Sequence, residues 1–332
     1  MSTTVKDVAK LAGVGQATIS SYLNGGNVRE KNKIKIEAAI KELDFHVNEI
    51  ARGLKTNKTK TIGVIIPELN SNFYGEICMK LEDKFRKEGY AIIIADSRSN
   101  KHRENEAIDF LQKKRVDGLI IVPATNESSN IKKFISTGKP VVLLDRLLVS
   151  VGNCGSVIIN NMSAAYIATE KLINAGHKNI GIIFGPEEVY TSVERKKGYI
   201  YALKKANIPV NNDLIIHGDY TLTHGITAMK SLIERNSYMT AVIFTNYDLT
   251  VGAIIALNEL AINIPKDLAV VSFDSYDFAK AVTPNLNTIV QPLEEIAENA
   301  TGQMLKRLAQ APHEWKSEII QLNSDYIHGQ SL

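Results

Sequence analysis

From Thr61 onward, short runs rich in Ile and Val alternate with helix-length amphipathic segments: TIGVII, YAIIIA, DGLIIV, PVVLLD, NIGIIF, TAVIFT and LAVVSF are the clearest runs. A strand wetted on one face would alternate apolar with polar residues. These runs are apolar almost throughout, so they predict parallel strands covered by helices on both faces. The segment before them follows a helical period. Val5, Val8, Ala9 and Ala12 recur at three- and four-residue spacing, Gly13 permits a sharp turn, and Ile19 and Leu23 give a second short helix its inward stripe. Thr4 and Asp7 form a T-x-x-D start signal, in which a hydroxyl and a carboxylate satisfy free backbone N–H groups of the first turn. Gly25-Gly26 closes the second helix, and Glu30 to Leu43 predicts a third with Ile36, Ile40 and Leu43 inward. Asn48 to Lys55 reads as a helix too short to stand alone, since isolated helices under about 12 residues are marginal in water. Its order should depend on a partner.

With Ile19 and Leu23 inward, the opposite face of the second helix carries Gln16, Ala17, Ser20 and Ser21, small or amide side chains with no carboxylate. Such a face suits the floor of a DNA major groove, where a helix-turn-helix unit places its second helix. A plain helical hairpin in a core would share the pattern, and charge separates the two readings. The whole chain has a net charge of only +3, but residues 1–60 hold eleven Lys/Arg against six Asp/Glu, a net +5, which leaves −2 for the remainder. A basic head on a mildly acidic body is the footprint of polyanion binding.

The polar clusters of the body follow its strands: Glu68 to Tyr74, Asp145-Arg146, Glu187 to Arg195, Asn246 to Asp248 and Asp274 to Asp277. Loops at the carboxyl ends of open α/β sheets are where such folds bind ligands. Enzyme signatures are missing, with no G-x-x-x-x-G-K-[ST], G-x-G-x-x-G or G-x-S-x-G sequence, and the seven histidines are scattered. No catalytic residue, metal site or cofactor is therefore predicted. No apolar run approaches the roughly 20 residues that span a bilayer, no signal-peptide core precedes the head, and Cys78 and Cys154 form no ligand cluster. These features predict a soluble cytoplasmic, nucleoid-associated protein with reduced thiols and no membrane partner.

In this order of elements the whole chain resembles the lactose/galactose-repressor (LacI/GalR) family of bacterial transcription regulators. The resemblance rests on VKDVAKLAGV, TIS and LNG in the head and on NEIARGLKTNKTKTIGVIIP at the junction. In the body it rests on LLDR, GH-x-x-I-x-I, R-x-x-GY, FDS, P-x-L and QP. It implies an α+α/β chain: a helix-turn-helix head with hinge helix (about 48–55) over residues 1–58, and an effector-binding and dimerisation domain over 59–332. That domain would comprise two Rossmann-like, doubly wound α/β subdomains of periplasmic-binding-protein type. The N-subdomain would take about 60–160 and 291–321, the C-subdomain about 161–288 and 322–332, with crossovers near 159–162, 286–292 and 320–324. The resemblance places Thr4, Gln16, Ala17, Thr18, Ser20, Ser21 and Asn24 of the head at DNA, with Ala51, Leu54 and Lys55 of the hinge. Leu54 matches the leucine that wedges into the minor groove and kinks a flexible base step.

For the effector, the resemblance singles out Phe73, Tyr74, Asp145, Arg195, Tyr220 and Asp274, joined by position by Asn160, Tyr190 and Tyr247. Departures matter for specificity. Ser21 stands where an arginine is usual, Val47 where proline precedes the hinge, and Arg29 where a serine caps the third helix. Ser71-Asn72, Asn160 and Tyr247 replace Asn-Pro, an aspartate and an asparagine, which predicts a less acidic pocket for an anionic or ring-bearing metabolite. The chain ends soon after NSDYI without a leucine heptad tail, so a C2 homodimer reading an approximately palindromic double-stranded operator is expected. The function implied is a dimeric, sequence-specific repressor of a carbohydrate or related catabolic operon, controlled by a small-molecule effector such as a sugar or sugar derivative. The alternatives are control by a protein corepressor and a solute-binding protein.

Overall fold

The computed structural model describes residues 3–23, 26–46, 58–274 and 276–332. The chain divides into two compact units, Met1–Thr59 and Lys60–Leu332. The first holds α1 (Val5–Ala12), α2 (Gln16–Leu23) and α3 (Glu30–Glu42). The T-x-x-D signal acts as a reciprocal capping box: the Thr4 hydroxyl accepts from the Asp7 amide, and the Asp7 carboxylate accepts from the Thr4 amide at 2.9 Å. Gly13 ends α1 in the left-handed region (φ 64°), which lets the chain turn into α2. Val8, Ala9, Ala12, Ile19, Ile36, Ala39 and Phe45 form the core. Val5, Leu23, Ile40 and Leu43 are partly buried around it. Phe45, beyond the third helix, completes this core from a place the helical period could not indicate. Arg29 precedes α3 without a side-chain cap.

The second unit contains two six-stranded sheets. One comprises β1 (Thr61–Ile66), β2 (Ala91–Asp96), β3 (Gly118–Ile121), β4 (Val141–Leu144), β5 (Gly155–Ile159) and β11 (Glu318–Leu322), in the order β11-β5-β4-β3-β1-β2. The other comprises β6 (Ile180–Phe184), β7 (Ile215–His217), β8 (Ala241–Phe244), β9 (Ala269–Phe273), β10 (Asn287–Val290) and β12 (Asp325–Ile327), in the order β12-β10-β9-β8-β6-β7. The two orders are equivalent strand for strand, so β4 corresponds to β9. All pairs are parallel except β10 with β12. The runs β3, β4, β5, β6, β8 and β9 are buried at every residue, as two-sided helical cover requires. The chain passes between the sheets after β5, after β10 and after β11.

Helices α4 (Asn72–Lys87), α5 (Lys101–Lys113), α6 (Ser129–Ser136) and α12 (Leu293–Ala309) pack on the first sheet. Helices α7 (Asn161–Asn174), α8 (Tyr190–Lys205), α9 (Leu222–Arg235) and α10 (Tyr247–Glu259) pack on the second, with the short α11 (Tyr276–Ala281) beside β10. The close crossing of α7 and α8 depends on Gly198. A Cβ there would lie 2.1 Å from the Met162 carbonyl oxygen and 2.9 Å from the Tyr166 amide, both backbone atoms. Gly302 on α12 is a natural contrast, since a Cβ added there would meet nothing within 4 Å. Gly198→Ala should therefore force the two helices apart and destabilise the domain by about 1–3 kcal/mol. Gly302→Ala should be neutral or stabilising by up to about 1 kcal/mol. Urea unfolding of the two variants beside the parent checks both.

Candidate functional site: the head surface and the interlobe cleft

On the head, α2 turns Ile19 into the core and leaves Gln16 and Ala17 exposed, with Thr18, Ser20 and Ser21 half-buried. The Ser21 carbonyl accepts from the Gly26 amide at 2.8 Å, so the chain folds back on the end of the helix there. Thr4 is exposed, but its hydroxyl also donates to Asp7 at 2.7 Å and is engaged in the cap. Lys6, Lys10, Lys31, Lys33 and Lys35 are exposed cations of the same unit. Tyr22, which the helical pattern did not single out, ties α2 to α3 through a 2.9 Å bond from its hydroxyl to Glu37. Asn24, Val47, Ala51, Leu54 and Lys55 lie outside the described residues.

In the second unit, the carboxyl ends of strands from both sheets line a cleft of about 390 Å³. From the first sheet come Glu68, Phe73 and Tyr74 after β1 and the Asp145-Arg146 pair after β4. From the second come Thr191 and Arg195 after β6, Tyr220 after β7, Tyr247 and Asp248 after β8, Asp274 after β9 and Gln291 after β10. The loops at the topological switch of each sheet thus face one space.

The two acids Asp145 and Asp274 occupy twin positions. Both have left-handed backbone (φ 60° and 58°), uncommon for a residue with a side chain. Each amide donates to the neighbouring strand, Asp145 to the Val157 carbonyl at 3.0 Å and Asp274 to the Ile289 carbonyl at 2.9 Å. Asp145 accepts from the Tyr74 hydroxyl at 3.1 Å, and Tyr74 stands edge-on to Phe73 with ring centroids 5.1 Å apart. Asp274 accepts from the Gln291 amide at 2.9 Å.

Arg195 is buried and held on three sides. Its Nε donates to Asn161 at 2.8 Å, its Nη1 donates to the Thr245 carbonyl, and the guanidinium lies 4.8 Å from the Phe273 ring centroid. Tyr220 is fixed by hydroxyl contacts to Thr191 at 3.0 Å and Ser192 at 2.8 Å. Arg146 donates from Nη1 to the Pro123 carbonyl at 2.8 Å, while its buried Nε has no hydrogen-bond partner. Tyr247 rests edge-on against Phe278 at 6.0 Å. The arrangement provides ring faces for an apolar ligand face, and carboxylates and guanidinium groups for its hydroxyls.

Two predicted cleft residues, Asn160 and Tyr190, are not among the residues lining this space. Asn160 turns its side chain onto the Ser163 amide at 3.0 Å as the cap of α7, and its own amide donates to the Leu322 carbonyl at 2.8 Å. A residue at a helix start is claimed by the free N–H groups of the first turn, and the Asn160 side chain is engaged there. Tyr190 begins α8, half-buried, and is also not among the lining residues, although the Asp145 charge helps to raise its hydroxyl pKa after burial and Glu194. Glu68, Arg146, Thr191 and Asp248 lay inside the polar clusters read from the sequence without being singled out, and Gln291 was missed. Arg146 and Gln291 had a signal, a polar side chain directly beyond the apolar runs VVLL and NTIV. The expectation of a weakly acidic pocket is also corrected, because Glu68, Asp219 and Asp248 enter from loops remote in sequence.

A helix-turn-helix unit and a two-lobed α/β domain with a polar, ring-lined cleft, carried on one chain, define a ligand-responsive transcription regulator. The chain belongs to the LacI family. Residues 4–48 match the bacterial regulatory proteins of the lacI family, and residues 59–320 match the periplasmic binding proteins and sugar binding domain of the LacI family. Catabolite control protein A of Priestia megaterium is 33% identical over 97% of this chain and 97% of its own length. The HTH-type transcriptional repressor PurR of Serratia proteamaculans is 32% identical over 99% of this chain and 96% of its own. A solved complex of the transcriptional regulator CelR with cellobiose is 26% identical, with a TM-score of 0.75 over 99% of this chain and all of that one. The relatives are DNA-binding regulators rather than enzymes, and among the described residues no helix is long and apolar enough to cross a membrane.

Burial pushes the Asp274 carboxyl up to about 6; Asp145 and Asp248 push in the same direction, while Arg195 and Gln291 hold it down. A folded-state value above the ordinary range near 4 means that the empty protein loses stability as pH rises from about 4 through 6. Asp274→Asn removes that slope. Without ligand, the variant should match the parent at pH 4 and melt several degrees higher at pH 8, since about two pK units correspond to about 2–3 kcal/mol. Thermal melts across this pH range check it.

Proposed function

We propose that the protein is a cytoplasmic homodimeric repressor that reads an approximately palindromic operator of a carbohydrate or related catabolic operon. In this reading its DNA occupancy is set by a small polyhydroxylated or ring-bearing molecule in the cleft. The observation that carries the proposal is the twin pair Asp145 and Asp274, one from each lobe, facing a single space with Arg195 and the rings of Phe73, Tyr74 and Tyr220. A ligand gripping both acids changes the balance between open and closed lobes. That balance is the element a linked DNA equilibrium responds to, and a coupling of about 1–3 kcal/mol shifts occupancy several-fold to over a hundredfold. The complex of CelR with cellobiose supports a sugar-like occupant. The molecule is bound and released unchanged, with no turnover.

On the head, Gln16, Ala17, Thr18, Ser20 and Ser21 read bases and phosphates from the exposed side of α2, with Thr4 and Asn24 at its margins. Leu54, flanked by Ala51 and Lys55, wedges into the central step. Selection of bound duplexes from a random library at fixed salt, with and without pooled metabolites, tests this directly. A palindrome whose enrichment changes with one metabolite pool is expected, and the absence of any motif would overturn the reading. Leu54→Ala should weaken operator binding at least tenfold while sparing non-specific binding, measured by titration at two salt concentrations. Equal loss on both DNAs would remove the wedge. Arg195→Ala should abolish the metabolite response and retain the operator motif; a retained response would show that the metabolite does not act through Arg195.

A further inference from the structure

The cleft arginine of the second lobe is not held by that lobe alone. Arg195 has three holds, of which the Thr245 carbonyl, directly beyond β8, and the Phe273 ring, on β9, belong to the second sheet. The third is Asn161. It stands where the chain first passes between the lobes, two residues after β5 of the first sheet, and opens α7 of the second lobe. Its Oδ1 accepts from Arg195 Nε at 2.8 Å, and its Nδ2 donates to the carbonyl of Ile159, the last residue of β5, at 3.4 Å. One buried amide thus joins the end of a first-lobe strand to the cleft arginine of the second lobe.

The second crossover is wired in the same way. Gln291, between β10 of the second sheet and α12 of the first lobe, is buried and donates to Asp274 at 2.9 Å. The crossovers are also bonded to each other, since the Asn160 amide donates at 2.8 Å to the Leu322 carbonyl at the end of β11, where the chain crosses for the third time. Asp145 differs. Its carboxylate accepts from Tyr74 and its amide donates to Val157, so both bonds stay inside the first lobe. The hinge of a two-lobed domain is a few residues at element ends, and coupling between sites is carried by contiguous contacts that have more than one arrangement. The pull of a ligand on Arg195 has such a path to the hinge through Asn161.

Resting on the effector-cleft reading above, we propose that Asn161 is a positioning residue for the signal: it ties the cleft arginine to the first crossover, so that a ligand seated on Arg195 moves the hinge rather than only occupying the cleft. Asn161 does not line the cleft, so it acts through Arg195. Without it, Arg195 keeps two holds and still meets the ligand, but both of them lie in the second lobe. Affinity and response then separate, because binding that no longer favours one arrangement of the lobes shifts nothing. Loss of a merely structural residue does not produce that division.

The test uses the full-length protein, with a small-molecule extract of bacterial cells as the probe, titrated against the parent, Asn161→Leu and Asn161→Asp. Thermal shift gives the half-maximal dose, and operator titration with and without saturating extract gives the maximal response. Leucine is close to asparagine in size and removes both hydrogen bonds, whereas aspartate keeps the acceptor for Arg195 Nε. In Asn161→Leu the half-maximal dose is expected to change by less than about fivefold, while a response of the usual allosteric size, about 5- to 150-fold, falls to within about twofold of none. Asn161→Asp should restore the greater part of the response. Melting without extract shows whether each variant folds; if leucine leaves the domain unstable, Asn161→Ser, too short to reach Arg195, takes its place in the same comparison. A full response from Asn161→Leu, a response recovered simply by raising the dose, or equal loss in Asn161→Asp would overturn the proposal and leave the cleft reading standing. No thermal shift and no operator response in the parent would overturn both.

Discussion

A carboxylate held largely out of water needs a partner, and the effector domain is arranged around two of them. Asp145 and Asp274 leave their strands through the left-handed region, a conformation that costs about 1 kcal/mol or more for a side-chain-bearing residue. The neighbouring strand fixes each backbone through an amide bond. The buried sheets make this geometry affordable: strand runs buried at every residue leave no alternative register for the chain at their ends. Tight helix crossings, such as the one at Gly198, then hold Arg195 on α8 where it can face Asp274.

Much of this was legible in the sequence, for identifiable reasons. The capping box of Thr4 and Asp7 is a local interaction over three residues, so the residues that form it can be read together. The βα alternation was legible because two-sided burial leaves little room for polar residues. Positions directly beyond those runs, such as Asp145 and Asp274, stood out as polar ends of apolar strands. Asn160 was placed at the effector by the resemblance alone; the helix beginning at Asn161 claims its side chain.

What the sequence concealed is non-local. Glu68 and Asp248 come from different lobes, and nothing in either neighbourhood reveals that their charges interact. Gln291 acquires meaning only once Asp274 is known to lie beside it. Phe45 joins the head core after its helix has ended, outside any helical period. Local chemistry thus predicted elements and their ends, while the charge of the cleft required the folded chain.

The equivalence of the two sheet orders has a consequence for how recognition can change. A duplicated architecture gives each lobe its own half of the binding surface, with one acid on each side. Mutations at one lobe's strand ends can therefore alter what part of a molecule is recognised without rebuilding the other half. The division also separates occupancy from signal. A compound satisfied by a single lobe occupies the cleft without exerting leverage on the angle between lobes, and so acts as a silent competitor. Only a molecule long enough to span both acids behaves as a clasp.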